Sequence, residues 1–92
     1  MRDEYMFPAI FDENDGDGYT VTFPDLSGCI TEGDTEQEAY QHAAEALGLH
    51  LWSMERDHDE IPEPASINEI ATEPSQKVVL IHINMSLIRR AV

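Results

Sequence analysis

Residues 19–23 show the cleanest alternation in the chain: Tyr19, Val21 and Phe23 face one way, Thr20 and Thr22 the other. A side-chain period of two marks a strand with one buried face. Pro24-Asp25 and then Ser27-Gly28 supply a fixed φ, a carboxylate acceptor and a permissive glycine, so the strand gives way to a turn there. A second short strand is predicted over residues 29–32, stopping at Gly33. Upstream, residues 6–11 (MFPAIF) put Phe7, Ala9 and Phe11 on one face and Met6 and Ile10 on the other. Pro8 cannot donate to a ladder, so this strand belongs at a sheet edge, or the Pro8 nitrogen points away from its neighbour. The Asp-, Asn- and Gly-rich residues 12–18 join the first two strands as a hairpin.

After Gly33 the period changes to that of a helix. Thr35 and Glu38 stand in the S/T-x-x-E spacing of a capping box. Ala39, Ala43, Ala46 or Leu47, His50 or Leu51, and Met54 recur at spacings of three and four, which predicts an amphipathic helix from Glu36 to about Arg56, about 30 Å long. Its alanines let the axis approach a sheet closely, while Leu47, Leu51 and Trp52 give bulk toward its end. Glu36 and Glu38 complement the positive end of the helix dipole. Gly48 marks a kink or a close contact. Pro62 and Pro64 rule out further helix, and residues 65–76 read as irregular with a short turn near 67–71. Residues 78–83 (VVLIHI) are the strongest strand signal, apolar on both faces, as in a central strand or one covered by another subunit. The expected fold is therefore α+β: a small single domain, about β-β-β-α-β, with one long helix packed on an antiparallel sheet.

Gly18, Tyr19, Val21, Phe23, Pro24, Asp25, Gly28 and Cys29, then Gly33-Asp34-Thr35, then Glu38-Ala39 with Ala43, Glu45, Ala46 and Leu47, form an ordered series of motifs. Residues 5–67 resemble, on these motifs, the HicB-like antitoxin family of bacterial toxin-antitoxin pairs. The resemblance implies a reduced ribonuclease H-like fold and a cognate partner, a small basic ribonuclease toxin of the HicA-like kind, blocked sterically. The acids expected to face it are Glu36, Glu38, Glu45, Glu55, Asp57 and Asp59. Members of the family usually continue into a ribbon-helix-helix or helix-turn-helix module. None fits after Ile83, so residues 1–84 are read as the antitoxin domain and 85–92 as the start of an extension, which puts DNA binding in doubt.

Charge sharpens the choice of partner. Nineteen acids against five Lys and Arg give a formal net charge of -14, which opposes the counterion release behind nucleic-acid affinity and favours a basic protein partner. The alternatives are a nucleic-acid-binding regulator of its own operon, in which Arg89 and Arg90 contact the nucleic acid, and an orphan dimeric scaffold. Ninety-two residues bury only about 60 to 65% of the unfolded surface, so a homodimer is expected, pairing across residues 78–83 or 6–11. A lone cysteine and no recognisable leader suggest a cytoplasmic protein.

Catalytic and metal chemistry find little support. The three clearest strands contain no acid, whereas two-metal hydrolysis needs carboxylates converging from strand centres. Asp25 is expected to bond nearby turn N–H groups, and Cys29 to be a buried, inert thiol. His42, His50 and His82 read as structural. Glu13, Asp15, Asp17 and Gly18 resemble the first half of a calcium loop, but its twelfth position falls on Pro24. Asp57, His58, Asp59 and Glu60 are adjacent in a linker and lack a shaped cage. No cofactor, metal site or enzymatic activity is expected.

Overall fold

The structure, a computed structural model, describes residues 2–14 and 16–91. Along the chain come β1 (Glu4–Glu13), β2 (Tyr19–Thr22), β3 (Ile30–Gly33), α1 (Glu36–Arg56), a single 3-10 turn (Ile67–Glu69), β4 (Gln76–Asn84) and α2 (Met85–Ala91). The four strands form one antiparallel sheet in the order β3-β2-β1-β4. This is the expected α+β architecture with a second, short helix added.

The alternation read from the sequence sets the two faces of the sheet. Tyr5, Phe7, Ala9 and Phe11 of β1, Val21 of β2 and Ile81 of β4 are buried on one face. Ala39, Ala43, Leu47 and Leu51 of α1 are fully buried with them, in one core cluster. The alanines bring the helix axis close to the sheet, as their spacing predicts. At the helix start the Thr35 hydroxyl accepts the Glu38 N–H at 3.1 Å, and the Glu38 carboxylate reaches back to the Asp34 N–H at 3.1 Å. Both carboxylates of the first turn, Glu36 and Glu38, also complement the helix dipole.

β1 is an inner strand and β4 lies at the sheet edge, so of the two places expected for residues 78–83, a central strand or one covered by another subunit, the first is excluded. Pro8 is accommodated by the second of its two expected routes. Asp3 O accepts the Met85 N–H and Glu13 N–H bonds Ser75 O, so odd residues of β1 point their main-chain groups toward β4. Asn14 N–H bonds Gly18 O on the other side, so the Pro8 nitrogen faces β2. β2 ends at Thr22, opposite Ile10, and the proline faces no ladder acceptor it would have to use. Apolar residues on both faces of β4 do not decide between a central strand and a covered one, because the helix-free face of this sheet also carries Met6, Pro8, Ile10 and Leu80. With β1 inner, self-pairing across residues 6–11 is not open, and of the two expected dimer strands only β4 has a free side.

The strands also run longer than the apolar runs. β1 takes in Glu4, Asp12 and Glu13, and β3 takes in Glu32, so the strands do carry acids, at their ends. Asp12 is bonded by Ser75 Oγ and Gln76 Nε2, which fastens the start of β4 to β1.

Residues 85–91 fold back on the domain. Met85 is fully buried, and Gly48 supplies the close contact that its place in α1 suggested: a Cβ there would lie 2.9 Å from Ile88 Cδ1. Arg89 completes the attachment. Its guanidinium donates to both Glu55 carboxylate oxygens, to Asp3 Oδ1 and to Arg2 O. The hydrogen bonds it donates to Glu55 and then Asp3 hold its pKa above the usual arginine value. No helix among the described residues is long and apolar enough to cross a membrane.

Candidate functional site

The motif residues prove to be the joinery around which the acidic surface is built. Gly18 has φ +90°, and a Cβ there would sit 2.7 Å from Gly33 O. Gly33 is pressed in turn against the first turns of α1. Between them, Phe23 N–H bonds Cys29 O, Leu26 N–H bonds Phe23 O and Cys29 N–H bonds Leu26 O, closing a compact turn with Phe23, Leu26 and Cys29 buried beneath it. Gly28, at φ +84°, permits that turn. Pro24 is exposed, and Tyr19 packs its ring at 6.2 Å from that of Phe11. Burial pushes the Cys29 thiol up to about 11, so at neutral pH it is not a nucleophile.

Asp25 differs from its expected role. Its Oδ2 accepts the N–H of Ala65, forty residues away, at 3.1 Å. The carboxylate thus ties the proline-rich linker to the turn, a long-range bond that local turn chemistry could not announce.

Carboxylates gather in two open clefts, one at each end of α1. Asp25, Asp57 and Asp59 line a cleft of about 370 Å³ with His50 and Ser53 at the C-terminal end. Here the negative end of the helix dipole adds to the carboxylates. Asp17, Glu32, Asp34 and Glu38 line one of about 400 Å³ with Tyr19 and His42 at the N-terminal end. His42, Glu38 and Glu45 follow one another at helical spacing along the same edge. Together these clefts offer closely spaced acceptors to cationic side chains.

The six acids expected to face a partner are therefore not equivalent. Asp57 and Asp59 stand in the C-terminal cleft, Glu38 in the N-terminal one, and Glu45 is exposed on the helix between them. Glu36 is paired with Lys77 of β4. Glu55 turns inward, its side chain only 9% exposed and committed to Arg89. Asp17, Glu32, Asp34 and Asp25 join the clefts without having been singled out as partner-facing. For Asp17, Glu32 and Asp34 the signal in the sequence was adjacency to Gly18 and Gly33, and for Asp25 its place in the Pro24 turn.

The histidines take distinct places. His42 Nδ1 donates to Glu32 O at 2.6 Å, and His82 stands 3.2 Å from Glu4 on the exposed face of β4. The bond to Glu32, and then the Glu38, Glu45 and Asp34 carboxylates, raise the His42 pKa above its ordinary value of about 6.5 against a smaller opposing effect of desolvation. A raised folded-state pKa contributes stability that is fully present below the unfolded value and is lost as pH rises through the folded one. His42→Gln is therefore expected to flatten the pH dependence of folding stability on the alkaline side of about pH 6.5. Urea titrations at several pH values would show this, and a His42 ring titrating at the ordinary value by NMR would contradict it.

Asp15, part of the calcium-like loop, lies outside the described residues. Among the described residues no group of three or more His, Cys, Asp or Glu side chains is arranged to hold a metal ion.

Comparison with known proteins agrees with this architecture. The family described as "HicB_like antitoxin of bacterial toxin-antitoxin system" matches residues 7–92. An uncharacterised 14.9 kDa protein from the rep-hol intergenic region of Haemophilus phage HP1 is 35% identical over 78 residues, 85% of this chain and 59% of that protein. Antitoxin HicB 2 of Photorhabdus laumondii is 36% identical over 73 residues, 79% of this chain and 52% of its own. The chain thus spans between half and three-fifths of the length of these relatives. In fold it is similar to a chain of a toxin-antitoxin complex from Streptococcus pneumoniae, with a TM-score of 0.78 at 23% identity, covering 91% of this chain and 71% of that one. The N-terminal domain of Burkholderia pseudomallei antitoxin HicB gives a TM-score of 0.69 at 21% identity, covering 84% and 95%. By the extent of the family match and the order of its motifs, this chain belongs to the HicB-like antitoxin family of bacterial toxin-antitoxin systems.

Proposed function

We propose that the chain neutralises a small basic ribonuclease toxin, of the HicA-like kind, by binding it stoichiometrically and covering its RNA-binding face, without chemistry of its own. The observation that carries this reading is the pair of acid-lined clefts at the two ends of α1, in a chain of net charge -14. Carboxylates at Asp57, Asp59, Glu38 and Glu45 would stand where RNA phosphates otherwise lie and draw in the lysines and arginines of the toxin. The complexes solved for proteins of this fold, including one of HicA3 with HicB3, support a toxin as the partner. Self-association of the antitoxin is part of the reading, since a domain this small gains stability from a second copy.

The test is titration with the toxin encoded beside this chain. Affinity is expected to fall at least tenfold between about 0.05 and 0.5 M salt, because exposed charges are screened beyond roughly a Debye length. Asp57→Asn with Asp59→Asn is expected to slow association by about threefold to tenfold while leaving the fold intact. Salt-independent affinity would remove the electrostatic part of the reading and leave blocking in place; no complex at any salt would remove both.

A further inference from the structure

We propose that the outer edge of β4 is the self-association surface, joining two copies through antiparallel β4 to β4 pairing centred on Leu80. The inference deepens the proposed self-association and rests on it. Odd residues of β4 turn their main-chain groups to β1, as the bond from Met85 N–H to Asp3 O and that from Glu13 N–H to Ser75 O require. The N–H and C=O groups of Val78, Leu80 and His82 therefore point away from the sheet, and among the described residues β4 has no second neighbouring strand. The opposite edge is different in kind. β3 is only four residues long, and its outward carbonyl at Glu32 is already taken by His42. A nine-residue edge left open is a ready template for another strand.

Charge identifies the occupant. All nineteen acids of the sequence lie at or before Glu73, so β4 and α2 contain none. Lys77 is met by Glu36 and Arg89 by Asp3 and Glu55, His82 stands beside Glu4, and Arg90 on α2 makes no ion pair among the described residues. The edge is thus close to neutral in a molecule of net charge -14. A basic partner is steered to the acid-lined clefts and gains little here, whereas a second acidic copy meets the least repulsion along this edge.

The register follows from what bounds the strand. Gln76 N–H is used by Glu73 O before the strand, and Asn84 Oδ1 accepts the Ser86 N–H at the start of α2. The free stretch between them has Leu80 as its midpoint. Twofold pairing about Leu80 sets Val78 of one copy opposite His82 of the other, and every outward main-chain group between them finds a partner. It also joins the helix-free faces, where Met6 and Leu80 are 45% and 41% exposed, into one eight-stranded sheet.

Light scattering across a concentration series up to tens of micromolar tests this. The wild-type chain is expected at twice the chain mass. Leu80→Pro removes an outward N–H that the single domain does not use, and is expected to give the single mass with an unchanged circular dichroism spectrum. Leu80→Asp, which sets two carboxylates face to face across the twofold axis, gives the same result should the proline disturb the fold. Ile30→Asp, on the opposite edge, is expected to stay at twice the mass. If both Leu80 variants remain dimeric, or only Ile30→Asp dissociates, the β4 surface is overturned while self-association stands. A wild-type chain of single mass throughout overturns both and leaves β4 to a different partner, and toxin binding is scored separately by the salt titration.

Discussion

Gly33→Ala is expected to destabilise the domain by about 3 kcal/mol or more, a large fraction of the roughly 5–15 kcal/mol that holds a small domain together. The Cβ would lie 2.6 Å from Ala39 Cα and 2.9 Å from the Glu38 carbonyl carbon. Those are main-chain atoms of the first turns of α1, so no side chain can swing aside to make room. The helix would have to lift from β3, and Ala39 and Ala43 would lose the close approach that their small size allows. Gly28 is the control. It has φ +84° but nothing within 4 Å of the added carbon, so Gly28→Ala should cost only about 1–2 kcal/mol of backbone strain. Urea denaturation of the two variants separates the cases. Equal losses would mean that the helix start yields freely and that Gly33 is needed only for its backbone.

Phe7→Ala is expected to cost about 3–5 kcal/mol, from lost burial and the cavity left beneath α1. Phe7 has no exposed surface; it stacks with Tyr5 at 6.1 Å and pairs with Ile81, which is equally buried. At roughly 4–8 °C per kcal/mol for a domain of this size, the melting temperature should fall by about 12 °C or more. Met6, one residue earlier on the other face, is 45% exposed, and Met6→Ala should cost under about 1 kcal/mol. Scanning calorimetry of both variants tests the face assignment directly. Comparable losses would mean that the helix-free face is packed as tightly as the core.

Most of this fold was legible because its local signals agree with one another. The alternation of residues 19–23, the proline-aspartate turn and the Thr35 cap each placed an element, and the helix runs over Glu36–Arg56 as its stripe predicts. What the sequence did not carry was strand order. Period two says which face of a strand is apolar but not which strands lie beside it, and an edge strand over a partly apolar face looks the same as a buried one. For β4 this left a central strand and one covered by another subunit undistinguished, and the sheet excludes only the first; for β1, Pro8 spoke only about one side of the strand.

The candidate site was legible in a different measure. The acidic character of α1 was plain, yet its carboxylates divide by contacts that arise only in three dimensions. Glu55 looks as free as Glu45 along the helix, but residue 89 lies within reach of the first and not the second. The same limit explains Asp25, whose partner Ala65 is separated from it by the whole of α1. The motif glycines were read as structural, but the sequence did not announce that Gly18 and Gly33 are packed against one another.

The arrangement around Arg89 also fixes how the molecule would respond to tension. β1 and β4 run antiparallel with Glu4 opposite Asn84, so a load applied at the two ends of the chain enters the sheet at the same corner. The ladder would then open one rung at a time, like a zipper, instead of sliding against all its rungs at once. Arg89, bridging Asp3, Arg2 O and Glu55, closes the mouth of that zipper, and mechanical resistance begins with a single side chain.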